Sequence, residues 1–227
     1  MIDMYNPVVQ KTTKNEVKVG IANSFSVMYL TTLSIIQGVV LGFWARFIPT
    51  DPKGWLVIFS PCGLKIALMC LTTLLIIIGL WHAYFWLAAI AKWTPLIWDS
   101  LYMFLIGAIE LIVVKNIGSA SWYYAVAILA IVGGTQYYYN VSRLPDESWD
   151  TDAKQIGEHI CTYKSERGKA LVLIGFVALI ITIGVHNLYP KGLWIVAVLI
   201  LGAQCWAIRQ HIMDQKETLN RVGTLSV

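Results

Sequence analysis

Charged residues are scarce in this sequence of 227 residues, since Asp, Glu, Lys and Arg together make up only 13% of it. A soluble domain normally has about a quarter of its residues charged, so the composition excludes an ordinary soluble globular protein. Hydrophobic residues make up 57% of the chain, and the mean hydropathy is +0.64. The sequence therefore predicts an integral membrane protein whose main partner is the lipid bilayer.

Cysteine is also rare, and the familiar catalytic signatures are missing. The four cysteines form no C-x-x-C pair, which argues against a disulfide framework or a cysteine metal site. The chain contains no G-x-x-x-x-G-K-[ST], H-E-x-x-H or G-x-S-x-G motif and no potassium-filter sequence T-V-G-Y-G. We therefore expect no enzymatic activity, no metal and no cofactor.

Six apolar runs are each long enough to cross a bilayer as a helix. They occupy residues 22–48, 62–93, 94–115, 122–141, 169–189 and 191–209. The predicted fold is an all-α polytopic membrane protein with six transmembrane helices and short loops. In order, we predict an N-terminal tail at 1–21, four spans within 22–141, a polar connecting segment at 142–168, two spans within 169–210, and a C-terminal tail at 211–227.

The distribution of basic residues predicts the orientation of these spans. With six spans, both termini lie on the same side together with twelve of the 17 basic residues, and the other side holds five. The positive-inside rule then makes both termini cytoplasmic, in the cytoplasmic (plasma or inner) membrane. The modest net charge of +4 is spread over many short loops, which favours anionic lipid and not nucleic acid as a partner.

The connecting segment 142–168 is the only sizeable polar stretch between spans. Ile156, Ile160 and Tyr163 share a face at helical spacing within it, so we predict a short cytoplasmic amphipathic helix that runs into the fifth span. A polar surface of this kind is where a cytoplasmic protein partner would bind.

The third span departs from ordinary membrane sequence because it contains two acids, Asp99 and Glu110. They are eleven residues apart, which is about three helical turns, so both lie on one face together with Tyr102. A carboxylate in hydrocarbon costs a few kcal/mol or more. We therefore predict that this face looks into a helix bundle or a wet cavity. The plainer interpretation is that each acid lies near an end of the span, where Asp99 caps or hydrogen-bonds the turn at Thr94.

Other polar side chains are predicted to form two layers when depth is estimated from the helical rise of about 1.5 Å per residue. Gln37 falls at the depth of Glu110, nearer the outer side. Gln136 and Gln204 fall with Asp99, a turn or two from the cytoplasmic side. His82 is placed somewhat deeper, and as a lone histidine among aromatic residues it is also compatible with a simple packing role. We predict that these side chains line a pathway.

The first span contains Gly38 and Gly42, four residues apart. Small residues at this spacing allow two helices to approach closely, so we predict that they mediate helix packing, although glycine is common in membrane helices. Six helices leave little room for a broad pore, and this favours a homo-oligomer.

Two classes of function fit these features best. The first is a channel or transporter subunit for ions, protons or a small solute, in which the acidic face of the third span lines a polar path. The second is a non-catalytic sensor, effector or assembly component that acts through a partner bound at 142–168. An intramembrane enzyme would need a nucleophile or metal set that the sequence does not contain.

The predicted topology can be tested with two native cysteines. We expect Cys62 to react with a membrane-impermeant thiol reagent added from outside, because it begins the second span at the outer side. Cys161 should react only after the membrane is opened. The reverse labelling pattern, or glycosylation at the sequon Asn140-Val141-Ser142 in a eukaryotic host, would overturn the orientation.

Overall fold

The computed structural model of the chain describes residues 14–48, 60–90, 97–142, 154–188 and 192–225. Within these ranges the described side chains are those of residues 27, 29–48, 60, 63–86, 101–139, 158, 162, 165–187 and 192–220. Every element of secondary structure in the described ranges is helical. The predicted all-α class is therefore confirmed for this part of the chain.

Six α-helices make up the described structure. Their bounds are α1 Lys14–Trp44, α2 Pro61–Ile90, α3 Ile97–Lys115, α4 Ser121–Ser142, α5 Lys154–Leu188 and α6 Leu193–Leu225. One turn of 3-10 helix, Ala45–Phe47, follows α1. A tight turn joins α3 to α4. Gly118 has a φ of +92° there, a left-handed conformation that glycine adopts without steric cost.

Four of these helices are long and apolar enough to cross a membrane. The qualifying segments are Tyr29–Phe47 in α1, Gly63–Trp86 in α2, Ser165–Asn187 in α5 and Leu193–Asn220 in α6. The transmembrane character of the protein is supported by these segments. The crossing of the membrane by α3 and α4 stays a prediction from the sequence.

Helices α1 and α6 extend beyond the predicted boundaries. Helix α1 begins at Lys14, so the last third of the predicted N-terminal tail is helical. Helix α5 runs without a break from Lys154 into the fifth span, so the helix that was predicted to lead from the connecting segment into this span is present. Helix α6 continues to Leu225, well past the predicted end of the sixth span. The predictions were short because low hydropathy marks where a helix leaves the apolar region, and polar residues such as Lys, Glu and Gln continue a helix readily.

The helices pack in a ring. Neighbouring pairs around the ring are α1 and α3, α3 and α4, α4 and α5, α5 and α6, α6 and α2, and α2 and α1; α2 also contacts α3. A core of buried apolar residues joins α1, α2, α3, α4 and the first turns of α6. Its largest fully buried side chains include Trp122, Tyr123, Leu33 and Met69. Helix α5 contributes no residue to this core among those described and lies at its outside.

Helix α5 is held against α4 by close approach of the two backbones. A Cβ added to Gly134 would lie 2.8 Å from the carbonyl oxygen of Gly168, and one added to Gly175 would lie 2.9 Å from the carbonyl oxygen of Ala127. Such distances leave no room for a side chain, so these three glycines allow the helices to touch. This is the small-residue packing known from membrane helices, at positions that the sequence analysis did not single out.

The predicted packing role of Gly38 and Gly42 is not fulfilled inside the chain. A Cβ added at either position meets no atom of the described part of the chain within 4 Å, and both residues are exposed. The reason is the rotation of α1, which turns Leu33, Gln37 and Val40 inward. Contact of the two glycines with a second copy of the chain stays a prediction.

The glycine packing predicts different effects for two alanine substitutions on α5. We expect Gly175→Ala to lower the free energy of unfolding by about 1–3 kcal/mol, because the added methyl group overpacks the contact with α4. Gly184→Ala should be neutral or slightly stabilising, since a Cβ there meets nothing within 4 Å and alanine favours helix. Thermal or denaturant unfolding in detergent measures both, and equal effects would contradict the close contact.

Candidate functional site

A cavity of about 650 Å³ lies between α2, α4, α5 and α6. Most of its wall is apolar, with residues such as Leu129 from α4, Ile174 from α5 and Ile200 from α6. Lining residues near the surface, including Leu173 on α5 and Trp206 on α6, are more than half exposed. The cavity therefore opens to the outside of the chain.

The polar residues of the cavity gather toward one end. Here α2 supplies His82 and α6 supplies His211, and Gln215 of α6 contacts both from outside the wall. The Gln215 Nε2 atom lies 2.7 Å from His82 Nε2 and 3.1 Å from His211 Nε2. When the amide donates to both rings, each imidazole accepts at Nε2 and carries its own proton on Nδ1. The two rings also pack edge to face with their centroids 5.3 Å apart, so this cluster links α2 to α6.

An ion pair closes the same end between α5 and α6. Arg167 pairs with Asp214, and their side chains are only 22% and 18% exposed. A partly buried pair of this kind is costly to break, because removing one partner leaves the other charge incompletely compensated. Arg167 also lines the cavity.

Gln204 is the polar group in the middle of the cavity. Its Nε2 atom donates to the carbonyl oxygen of Leu75 at 3.3 Å. The approach depends on Gly79, where an added Cβ would lie 3.1 Å from the same Gln204 nitrogen. The predicted depths of Gln204 and His82 are therefore reversed, because Gln204 faces the middle of α2 whereas His82 faces the late residue Gln215 of α6. The estimate failed because the 30 residues of α2 exceed one membrane crossing.

Three more predicted pathway residues, Gln37, Glu110 and Gln136, lie in buried contacts outside the cavity wall. Tyr84 on α2 donates its hydroxyl hydrogen bond to Gln136 Oε1 on α4. Gln37 Nε2 on α1 donates to Glu110 Oε2 on α3 over 2.8 Å. The proximity of Gln37 and Glu110 that was expected from their shared depth is thus confirmed. Buried hydrogen bonds between helices stabilise a membrane bundle by about 1 kcal/mol each.

The predicted acidic face of α3 does turn toward the protein over its described residues. Met103, Ile106, Glu110 and Val113 on this face are all buried, and Leu101, Phe104, Leu105 and Ile112 on the other side are exposed. Tyr102 is half-buried, and its ring centroid lies 6.1 Å from that of Tyr139 on α4. The side chain of Asp99 and the residues Thr94 and Pro95 lie outside what the structure describes.

Of the predicted pathway residues, His82 and Gln204 line the cavity. The others with described side chains are outside its wall, and they are Gln37, Tyr102, Glu110 and Gln136. Sequence reasoning missed Arg167, His211, Asp214 and Gln215, because it assigned them to polar segments beyond the spans. A usable signal existed, since His211 and Gln215 are four residues apart and share a face if the sixth helix continues.

Comparisons of the chain with protein-family models, with curated proteins and with solved structures gave no match. Among the described residues no group of three or more His, Cys, Asp or Glu side chains is placed to hold a metal ion. What the site provides is an apolar chamber with hydrogen-bonding groups and one ion pair at its end.

The two neighbouring ion pairs of α5 predict a sharp contrast in stability. Asp214→Asn should destabilise the protein by about 1–3 kcal/mol, because Arg167 then keeps its charge in a partly buried position without its carboxylate. Glu166→Gln breaks the pair with Lys169, whose side chains are 57% and 68% exposed, and should change stability by less than about 1 kcal/mol.

The double variant Arg167→Gln with Asp214→Asn should recover part of the loss, because it leaves no charge behind. Melting curves of the four proteins in one detergent provide the comparison. Asp214→Asn and Glu166→Gln variants that melt alike would argue against a stabilising role of the Arg167–Asp214 pair.

Proposed function

We propose that the protein is a membrane transporter subunit that binds a small amphipathic solute in the cavity between α2, α4, α5 and α6. The observation that carries the proposal is the combination of one largely apolar chamber with polar groups gathered at one end. Its volume of about 650 Å³ falls within the range of about 300–1,000 Å³ typical of small-molecule sites. The face of α3 that carries Glu110 is not part of this chamber.

The lining suits a molecule with an apolar body and an uncharged or zwitterionic polar head. Burial of the body against the apolar wall supplies the affinity, at about 25 cal/mol per Å². The head would exchange hydrogen bonds with His82, His211 and the guanidinium of Arg167. Because Asp214 already compensates Arg167, the polar end has no strong net charge to attract an ion on its own.

The helix contacts support a way for the polar end of the cavity to open. Helices α4 and α5 touch backbone to backbone and form a stiff pair, whereas Gln204 and the His82 cluster hold α6 to α2. The Arg167–Asp214 ion pair joins the two units across the end of the cavity. Breaking it would let the units separate at that end, which is the kind of relative helix motion used in alternating access.

Orientation and assembly are further parts of the proposal. The charge distribution supports cytoplasmic termini and a location in the plasma membrane. Gly38 and Gly42 on the open side of α1 support contact with a second copy of the chain. Binding of a cytoplasmic partner in the region 142–168 is the competing function, and residues 143–153 of that region lie outside the described structure.

Solute binding can be tested by filling the cavity. Ala203 lines it, and Ala203→Phe should occupy the space of the apolar body. The probe is bromododecanol, whose bromine quenches tryptophan fluorescence at contact and can reach Trp206 at the cavity mouth. With protein in nanodiscs, we expect saturable quenching that Trp206→Phe removes and that Ala203→Phe weakens at least about tenfold, a difference of about 1.4 kcal/mol.

The matched control is Ala108→Phe, because Ala108 is exposed on α3 and outside the cavity wall. It should leave the quenching curve unchanged. Quenching that rises linearly with probe concentration in every variant would show only partition into lipid and would count against the binding site. Transport itself is then measured with a fluorescent lysolipid in proteoliposomes, with protein-free liposomes as the baseline.

A further inference from the structure

The buried pair of Gln37 and Glu110 has a hydrogen-bonding pattern that its one visible bond does not explain. The two residues are 4% and 1% exposed. Gln37 Nε2 donates to Glu110 Oε2. The other oxygen of each side chain, Gln37 Oε1 and Glu110 Oε1, is buried and has no hydrogen-bond partner among the residues that the structure describes. Two acceptors thus remain unsatisfied in adjoining groups.

Unsatisfied buried acceptors are unusual and costly, at about 1–3 kcal/mol each. The buried side chains next to the pair on the two helices supply no hydrogen-bond donor. One turn away on α1 are Leu33 and Val40, and one turn away on α3 are Ile106 and Val113, all of them buried and apolar. An ionised carboxylate can only accept hydrogen bonds, so it cannot supply a partner for the amide oxygen either.

We infer that the Gln37–Glu110 pair is a proton-binding site between α1 and α3, in which Glu110 is a neutral carboxylic acid. A proton on Glu110 Oε1 makes this oxygen a donor, and Gln37 Oε1 is the acceptor beside it. The carboxylic acid and the amide then form two hydrogen bonds in opposite directions. Gln37 Nε2–H donates to Glu110 Oε2, and Glu110 Oε1–H donates to Gln37 Oε1. One proton satisfies both orphaned oxygens and removes a charge from the apolar interior.

A metal cation is a poorer occupant of this position. Two oxygens, one from a carboxylate and one from an amide, fall well short of the six or more ligands that Ca²⁺ takes or the octahedral set that Mg²⁺ demands. The apolar side chains one turn away on both helices add none. The inference does not depend on solute binding, since neither Gln37 nor Glu110 lines the cavity.

Infrared spectroscopy tests the protonation directly. The C=O stretching band of a protonated carboxylic acid is separate from the bands of carboxylates and amides, and it shifts on deuteration. With protein in a maltoside detergent, which has no ester groups, we expect one such band at neutral pH. Glu110→Gln should remove it, and Glu166→Gln should leave it, because Glu166 is exposed and paired with Lys169.

Gln37→Leu adds a readout of the second hydrogen bond. Without the amide oxygen the acid C=O band should persist and move to higher frequency. A wild-type spectrum without the band, or a band that survives in Glu110→Gln, would overturn the inference.

A stability measurement covers the case in which a variant folds poorly. Glu110→Gln keeps the size of the side chain and its lack of charge, and two amides can form the same pair of hydrogen bonds. We therefore expect its melting temperature to stay within about 3 °C of wild type, whereas Glu110→Ala should fall well below it. A large loss in Glu110→Gln, or stabilisation of wild type by Na⁺ beyond that by choline at equal ionic strength, would show an ionised Glu110 and refute the proton site.

Discussion

The constraint on which this structure depends is the need to satisfy polar groups inside an apolar helix bundle. Water is excluded there, so each buried donor or acceptor must find its partner on another helix or within its own. The chain meets this need with single side chains at widely separated points. Trp44 donates to the Cys70 carbonyl oxygen over 2.9 Å, and Trp122 donates to Thr73 Oγ1 over 2.9 Å. These bonds join α1 and α4 to α2.

Packing density differs between the two sides of α4, and the difference creates the cavity. On one side, Gly134 of α4 meets Gly168 of α5, Gly175 of α5 meets Ala127 of α4, and the backbones touch. Helix α6 follows α5 but is drawn toward α2 by Gln204 and by the His82 cluster. Because α5 packs along α4 and α6 packs along α2, the space between these two helix pairs stays open. The Arg167–Asp214 ion pair crosses that space at one end and joins α5 to α6.

The sequence allowed the helical class and one polar contact to be predicted, for reasons that are physical. Hydropathy over about twenty residues identifies the membrane-spanning stretches, and residue counting placed Gln37 beside Glu110. It could not predict where α1 begins or where α6 ends, since both helices continue through polar residues that favour helix. It also could not predict which glycines pack, because that depends on the rotation of each helix. Gly38 and Gly42 have the expected spacing but face outward.

The ion pair at the end of the cavity could not be predicted from the sequence for a related reason. Arg167 and Asp214 are 47 positions apart on different helices, and only the extension of α6 brings them together. A charged residue near the end of a span is interpreted as solvent-exposed unless a neighbouring helix is known to extend to it. Such tertiary pairs override the local pattern, and here they define the polar end of the candidate site.

The most direct measurement of the central claim is an experimental density map of the protein in lipid nanodiscs, obtained by cryo-electron microscopy with a bound antibody fragment. If the cavity binds an amphipathic solute, elongated non-protein density should occupy the space between α2, α4, α5 and α6, with its polar end beside His82 and Arg167. A chamber closed by contact of α5 with α2, or filled by side chains of a second copy, would contradict it.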